Sequence, residues 1–254
     1  MNLTEKIAFI TGGGRGIGKG CALALARAGA DIALTYRRDE EAAQQTVAEI
    51  EKLGRKALSL QCDVSEEEQV ESAAKRAVDE LGGVDILVAN AGIASRGSTV
   101  RDTPSGEFLA LFNTHVMGAI WSTKAVLDSM RERGDGRIVL ISSVATKQHG
   151  ANSAPYSMAK AAIESLMLVL SREEGPNGVR VNAIAPGLIE TEMGRRLSAA
   201  RGSDIKDLYS VYPFGRVGQP EDIGNLAAFL CSEEGSYISG QVIYVDGGGF
   251  IRTS

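Results

Sequence analysis

A tyrosine and a lysine, Tyr156 and Lys160, stand four residues apart in a helical pattern. Tyr156 follows Ser143 by thirteen residues. A spacing of four places both side chains on one helix face, one turn apart. An isolated tyrosine has a pKa of about 10, and a nearby ammonium lowers it by favouring the phenolate. The pair is therefore predicted to exchange a proton with a carbonyl or alcohol oxygen, which the Ser143 hydroxyl would also hold.

A glycine-rich segment, residues 11–18, follows the first apolar run of the chain and leads into a helical pattern. Glycine lets the backbone turn tightly and approach a pyrophosphate, while the N–H groups that start a helix attract anions. At the junction of the first strand and helix, this pattern predicts a dinucleotide site rather than a plain turn. The residues assigned to it are Gly12, Gly14, Arg15, Gly16, Ile17 and Gly18.

The end of the second predicted strand indicates which dinucleotide would bind. An acidic residue there would bond the ribose 2′-OH of NAD, but the strand ends in Tyr36, Arg37 and Arg38. Arginine favours the 2′-phosphate of NADP through charge-assisted hydrogen bonds, and Arg15 is placed to reach the same phosphate. We expect NADPH (NADP) as cofactor. The alternative is that Arg37 and Arg38 are solvated loop charges.

Two more segments follow predicted strands, Asp63-Val64 and Asn90-Ala91-Gly92. Open α/β sheets bind ligands at the carboxyl ends of their strands, so all five residues are assigned to cofactor binding. Asp63 is a candidate partner for an adenine amino group. It is also a candidate cap for the helix that follows, and both roles can hold together.

Short apolar runs alternate along the chain with segments whose apolar residues recur at helical spacing. Runs nearly continuous in Val, Ile, Leu and Ala are typical of parallel strands covered on both faces. The alternation predicts an α/β fold with one Rossmann-type, doubly wound, seven-stranded parallel sheet flanked by helices, in a single domain over residues 1–254. The predicted strands are Ile7–Ile10, Ile32–Thr35, Ala57–Leu60, Ile86–Ala89, Ile138–Ile141, Val179–Ile184 and Val242–Val245. The predicted helices are Ile17–Ala28, Glu40–Leu53, Glu66–Leu81, Phe108–Arg133, Tyr156–Glu173 and Pro220–Cys231.

The stretch 188–217 breaks this alternation, because it mixes acidic and basic residues and contains no clear strand. Long insertions in compact domains often cover active sites, so a substrate lid is one interpretation of it. A solvated connector is the other.

Composition excludes several classes of protein. The 27 basic and 32 acidic residues give a net charge of -5, which argues against a nucleic-acid surface. Three dispersed cysteines and two histidines favour neither a disulfide framework nor a metal site, and fit a reducing cytoplasm. No apolar run reaches the roughly 18 residues of a membrane span, and we expect no signal peptide.

The chain as a whole resembles the short-chain dehydrogenase/reductase family, and most closely its 3-oxoacyl-[acyl-carrier-protein] reductases. The resemblance implies a nicotinamide cofactor and usually a homotetramer or dimer. It also implies that Ser143 orients the substrate oxygen, Tyr156 is the general acid/base, and Lys160 binds the nicotinamide ribose and lowers the tyrosine's pKa. The stretch Pro186, Gly187, Ile189 and Thr191 would line the nicotinamide. The resemblance rests on residues 11–18, 90–92, Ser143, Tyr156, Lys160, 184–193, 215–222 and 245–248.

One position departs from the family pattern. The family usually carries a fourth catalytic residue, an asparagine, and counting back from Gly118 and Lys124 places His115 there. Asn113 would take its place only through a two-residue gap within a helix. In the family the main-chain carbonyl of this residue holds a water linked to the lysine, so His115 is assigned to the catalytic set. The alternative is that His115 is a packed helix residue.

These features favour a reductase that transfers hydride from NADPH to a ketone, such as a 3-oxoacyl thioester carried by acyl-carrier protein. One alternative is an NAD(P)-dependent alcohol or sugar dehydrogenase working in the oxidative direction. A remote alternative is a non-catalytic dinucleotide-binding regulator. Apolar residues in two long helices, including Trp121, Leu166, Met167 and Leu170, support the expected homotetramer.

Overall fold

The computed structural model describes residues 1–200 and 202–249. Arg201 in the predicted lid and residues 250–254 of the predicted domain lie outside the described residues. The strands are β1 (Ile7–Ile10), β2 (Asp31–Tyr36), β3 (Ala57–Gln61), β4 (Ile86–Ala89), β5 (Gly136–Ile141), β6 (Val179–Pro186) and β7 (Val242–Val245). The α-helices are α1 (Gly16–Arg27), α2 (Glu40–Lys52), α3 (Glu67–Leu81), α4 (Ser105–Phe112), α5 (Gly118–Arg133), α6 (Ala145–Gln148), α7 (Ala154–Glu174), α8 (Glu192–Ala200) and α9 (Pro220–Cys231).

The seven strands form one parallel sheet in the order β3-β2-β1-β4-β5-β6-β7, which confirms the predicted fold class. The order reverses between β1 and β4, where Ala8 pairs with Ile86. In doubly wound sheets the crevice at such a reversal is the usual ligand site. Thr11 and Asn90, directly after these two strands, therefore stand at its mouth.

Helices cover both faces of the sheet, as its apolar strands require. One face packs against α1, α2 and α9, and the other against α3, α5 and α7. Met167 and Leu170 belong to this core, at 0% and 8% exposure, so they are not the surface residues on which the expected homotetramer was based. Their helix turns them inward because apolar residues three apart share its sheet-facing side.

The predicted helix Phe108–Arg133 is three elements in the structure. It starts at Ser105, just after Pro104, and a π-helical turn at Asn113–Met117 separates α4 from α5. In this turn the Gly118 N–H donates to the Asn113 carbonyl, five residues back. The extra residue shifts the phase of the helix without ending its apolar pattern, so the sequence period did not reveal it.

The stretch predicted as a lid contains α8 and a 3₁₀ helix, Ile205–Val211. Ile205, Tyr212 and Val217 form a small apolar cluster apart from the two main ones. Ile189 and Gly218 form an isolated bridge at its base. Across the part of the chain that the structure describes, no helix is both long and apolar enough to cross a membrane.

Candidate active site

The structure brings Ser143, Tyr156 and Lys160 together where α7 crosses the end of β5. Pro155 in the first turn of α7 suits a helix start, because that position needs no N–H donor. The Lys160 ammonium donates to the Ile141 carbonyl at 2.7 Å, which fixes the helix over the strand end. The Ser143 and Tyr156 hydroxyls are hydrogen-bonded to each other. A hydroxyl pair and an ammonium thus lie close together at the carboxyl edge of the sheet.

Burial sets the protonation of this group. It raises the pKa of Tyr156, and the hydrogen bond with Ser143 offsets only part of that rise. The net pKa of Tyr156 is therefore raised, and the expected lowering is wrong as the overall direction. The reason is that burial of the phenol disfavours its charged form more than the Ser143 hydroxyl stabilises it. Burial also lowers the pKa of Lys160 to about 7. Its Nζ lies 5.7 Å from the centre of the Tyr156 ring.

The π-turn places His115, not Asn113, beside Tyr156. Asn113 is exposed, whereas His115 is 4% exposed and its ring meets the Tyr156 ring edge-on. His115 Nε2 lies 2.8 Å from the Ile93 carbonyl and 3.2 Å from the Ile93 N–H. A Cβ on Gly92 would collide with this imidazole, so glycine is required there. The side chain joins the loop after β4 to the tyrosine.

The other ring nitrogen of His115, Nδ1, is buried and has no partner among the described residues. His115 lines a cavity of about 10 Å³ together with Thr11, Val64, Ala91 and Gly118. This volume is about that of one water molecule. Burial and the nearby Lys160 charge lower the pKa of His115 to about 3, so the imidazole is neutral at physiological pH.

The glycine-rich loop has the open backbone that a pyrophosphate needs. Helix α1 starts without a side-chain cap, which leaves the first N–H groups of its first turn available. Gly16 has a φ of +54°, and a Cβ there would reach only Thr191 across the crevice. Gly14 and Gly18 instead pack on Ala43 and the Gly12 carbonyl. The residues present fit a dinucleotide, and Gly14 and Gly18 allow the close packing that holds the loop.

Side chains that the sequence analysis did not assign hold this loop in place. Thr35 Oγ1 accepts from the Gly12 N–H at 3.1 Å, and Thr46 Oγ1 donates to the Gly14 carbonyl at 2.9 Å. The Asn90 amide donates to the carbonyls of Thr11 and Gly12 at 2.9 and 3.1 Å. Asn90, predicted to contact the cofactor, thus supports the loop that would bind it. The sequence signal that could have identified Thr35 is a threonine near the end of β2, the strand that pairs with β1.

Two of the candidate 2′-phosphate residues, Arg15 and Arg37, lie close to carboxylates. Arg37 Nη1 is 3.8 Å from Asp63 Oδ2, and Arg15 Nη1 is 3.7 Å from Asp39 Oδ2 and ion-paired with Glu192. Asp39, which the sequence analysis did not assign, caps α2 by accepting from the Ala42 N–H. Arg38 is exposed, Tyr36 is half-buried, and burial with nearby Glu40 raises the pKa of Tyr36.

Asp63 does not cap α3, whose first residue is preceded by Glu66. Its Oδ1 instead accepts from the Ser65 N–H and hydroxyl at 3.1 and 2.7 Å, within the turn before the helix. Val64 is buried beneath the turn and lines the small cavity beside His115.

The predicted nicotinamide stretch runs from the end of β6 into α8. Gly187 packs closely on Asp246, and Ile189 is buried. Thr191 Oγ1 accepts from the Gly194 N–H at 3.0 Å, at the start of α8. One residue on, Glu192 joins α8 to the glycine-rich loop through Arg15. This stretch therefore leads from the carboxyl edge of the sheet to the glycine-rich loop.

Comparison with known proteins agrees with this geometry. The family model described as enoyl-(acyl carrier protein) reductase matches residues 12–249. A 3-oxoacyl-[acyl-carrier-protein] reductase of Synechocystis sp. is 36% identical over 97% of this chain and 97% of its own. A short-chain dehydrogenase of Burkholderia cenocepacia J2315, solved in complex with NADP, superposes with a TM-score of 0.88 at 36% identity, covering 97% of this chain and 98% of its own. A 7α-hydroxysteroid dehydrogenase complexed with NADH and 7-oxo glycochenodeoxycholic acid superposes with a TM-score of 0.89 at 35% identity, covering 100% of this chain and 97% of its own.

Proposed function

The chain belongs to the short-chain dehydrogenase/reductase family of oxidoreductases, and we propose that within it the protein is an NADPH-dependent carbonyl reductase. The observation that carries the proposal is the meeting of Ser143, Tyr156 and Lys160 at the edge of the crevice that the glycine-rich loop also borders. A binding module has no need of a buried ammonium beside a buried phenol. This grouping favours catalysis over the remote alternative of a regulator.

NADPH, when bound, would supply the hydride that reduces the carbonyl carbon. Ser143 would hold the carbonyl oxygen, and Tyr156 would give it a proton. The raised pKa of Tyr156 suits this direction, because a phenol that stays protonated at neutral pH is ready to act as an acid. The Lys160 ammonium would stabilise the phenolate left behind, and is also assigned to the nicotinamide ribose.

The preference for NADPH rests on Arg15 in the glycine-rich loop and on Arg37, which directly follows the end of β2, where an NAD enzyme would carry an acidic residue. Both are exposed, so a 2′-phosphate can replace the carboxylates that pair with them. The dianionic phosphate would form stronger charge-assisted bonds than a ribose hydroxyl.

The second candidate is an NAD(P)-dependent dehydrogenase working in the oxidative direction. Asp39 and Asp63 favour it, because each lies within 4 Å of one of the two arginines, at 3.7 and 3.8 Å. A carboxylate so placed can accept from a ribose hydroxyl and neutralise the arginine that a phosphate would need. The structural relative complexed with NADH gives this candidate further support.

The remaining parts of the proposal concern regions around the site. The main-chain carbonyl of His115 would hold a water linked to Lys160, and residues 188–217 would cover the substrate as part of one domain. A homotetramer would cover the exposed apolar residues of α4 and α7, and acyl-carrier protein would be the partner of a thioester substrate. The buried free thiols Cys21, Cys62 and Cys231 suit a reducing cytoplasm.

The test is oxidation of NADPH and of NADH with a panel that contains an acetoacetyl thioester, simple ketones, diketones and keto sugars. The reverse reaction is followed on the matching alcohols. We expect NADPH-dependent reduction of at least one ketone, with a higher kcat/KM than NADH gives. Faster NAD⁺-dependent oxidation of the alcohols would favour the dehydrogenase. Tight dinucleotide binding without turnover on either panel would favour the regulator.

A further inference from the structure

A third polar residue shares the face of α7 that carries Tyr156 and Lys160. Glu164 follows Lys160 by four residues and Tyr156 by eight, so the three side chains stand one above another on successive turns. The proton-transfer chemistry uses the first two. Glu164 is half-buried, and the proposed reaction gives it no role.

Glu164 holds the backbone corner in which Ser143 stands. Its Oε1 accepts from the Ser142 hydroxyl at 2.7 Å and from the Thr146 hydroxyl at 2.8 Å. One carboxylate oxygen has the lone pairs to accept both bonds. Ser142 precedes Ser143, and Thr146 lies in the first turn of α6, so the two bonds grip the corner on both sides of the serine.

The Thr146 hydroxyl also contacts the backbone of Ser143 itself. It lies 2.9 Å from the Ser143 carbonyl and 3.3 Å from the Tyr244 hydroxyl. A hydroxyl has one hydrogen to donate, and an ionised acceptor forms the stronger bond, so the carboxylate directs it. Without Glu164, Thr146 would turn to the Ser143 carbonyl and the buried Ser142 hydroxyl would lose its acceptor.

Glu164 is not part of a salt bridge. Within residues 1–200 and 202–249 no Lys or Arg nitrogen lies within ion-pair distance of its carboxylate. Lys147, in the helical turn that follows Ser143, lies over the Tyr244 ring at 3.5 Å. The carboxylate is thus committed to two hydroxyls at the corner, which is the arrangement of a group that fixes geometry.

We propose that Glu164 is a positioning residue that sets the Ser143 hydroxyl against the Tyr156 hydroxyl. This inference rests on the proposed function. Glu164 and Tyr156 are both on α7. The bonds from Ser142 and Thr146 to Glu164 therefore fix the backbone around Ser143 relative to the helix that carries Tyr156. Displacing a reacting group by about 1 Å can cost on the order of 100-fold in rate, so such a contact has a measurable effect on kcat.

The test is a double-mutant cycle between Glu164→Ala and Ser143→Ala, with kcat measured on the best ketone of the panel. We expect Glu164→Ala alone to lower kcat by about 10- to 100-fold while the dissociation constant of NADPH stays unchanged. In the Ser143→Ala background it should lower kcat by less than about threefold, because the group it positions is gone. Losses that multiply in the double variant would overturn the proposal.

Three further variants keep the test decisive. Glu164→Gln retains the accepting oxygen and should keep most of the wild-type kcat, while a loss equal to that of Glu164→Ala would contradict the proposal. Ser142→Ala removes the hydroxyl that donates one of the two bonds to Glu164, and should lower kcat. Combined with Glu164→Ala, it should cause no further loss of kcat. Glu173→Ala, an exposed glutamate on the same helix, is the matched control and should change nothing.

A readout that needs no substrate separates this proposal from the proposed function. Amide hydrogen exchange across residues 142–148 should be faster in Glu164→Ala than in the wild type or in Glu173→Ala. A wild type that reduces no carbonyl would defeat the proposed function. Unchanged exchange in this segment would defeat the role of Glu164, whatever the substrate proves to be.

Discussion

The rings of His115 and Tyr156 meet edge-on, with their centres 5.5 Å apart and their planes at 87°. This is a favourable aromatic geometry, and it restrains the tyrosine from the side opposite α7. His115 is also fixed, since its Nε2 lies within hydrogen-bond distance of both backbone groups of Ile93. The loop after β4 and the tyrosine are therefore positioned by one neutral side chain.

Replacing His115 by Asn should make the protein less sensitive to acid. The folded-state pKa of His115 is about 3, below the ordinary value of 6.5, so between these values the unfolded chain binds the extra proton. Stability should fall as the pH drops from 6.5, by about 3 kcal/mol at pH 4, since each pKa unit is worth about 1.4 kcal/mol.

The measurement is urea unfolding of wild type and His115→Asn between pH 7 and pH 4. The control is His149→Asn, because His149 is exposed at the end of α6. An equally steep fall in His115→Asn would show that other groups cause the acid sensitivity.

Replacing Lys160 by Met should lower kcat and change the pH dependence of reduction. Because burial lowers the pKa of Lys160 to about 7, the ammonium is lost as the pH rises through that value, and the reduction rate should fall with it. A charge-assisted contact is worth about 1.5–3 kcal/mol, or roughly 10- to 150-fold. In Lys160→Met the reduction rate should start to fall only at a higher pH than in the wild type, because no ammonium is left to lose its proton. Lys52→Met, an exposed lysine, is the control, and a pH profile shared by all three proteins would count against the charge of Lys160.

Replacing Arg37 by Ala should weaken NADPH binding and leave NADH binding nearly unchanged. The lost bond to the 2′-phosphate should raise the NADPH dissociation constant by roughly 10- to 150-fold. Fluorescence titration with both dinucleotides measures the difference, and Arg27→Ala, on the exposed end of α1, is the matched control. Equal affinity of the wild type for NADPH and NADH would remove the basis for the cofactor preference.

The protein should be a homotetramer in solution, held partly by the exposed apolar residues of α4 and α7. Leu109, Leu168 and Val169 are 64%, 42% and 47% exposed in the single chain, which is typical of helix faces that a second copy covers. Val169→Glu should dissociate the assembly in light scattering at micromolar concentration, whereas Val100→Glu, at a residue 67% exposed outside these helices, should not. A monomeric wild type would exclude this role for the two helices.

Pattern alone predicted the sheet, because parallel strands buried on both faces leave an apolar run that few other elements produce. β1, β4 and β7 have the predicted bounds, and β6 runs two residues further, to Pro186. The π-turn at Asn113–Met117 could not be read in this way, because one inserted residue leaves the helical composition intact. Strand ends and helix phase depend on tertiary contacts that no local period encodes.

At the site too, local spacing predicted some features, whereas those that depend on tertiary contacts were missed. The spacing of Tyr156 and Lys160 predicted their shared face, and the counting from Gly118 selected His115. The predicted direction of the Tyr156 pKa shift was wrong because it depends on how deeply Tyr156 itself is buried, which the sequence does not state. Glu192, Asp39 and Glu164 were missed since their partners lie far along the chain or in another element.

The most direct test of the proposed chemistry is the turnover of Tyr156→Phe with NADPH and the best ketone of the panel. Phenylalanine keeps the ring and its edge-on contact with His115 but has no proton to give. We expect kcat to fall by about 100-fold or more, with the NADPH dissociation constant unchanged. Tyr237→Phe, at a fully exposed tyrosine, should retain wild-type turnover. A Tyr156→Phe enzyme that kept more than about a tenth of the wild-type kcat would contradict the role of Tyr156 as the general acid.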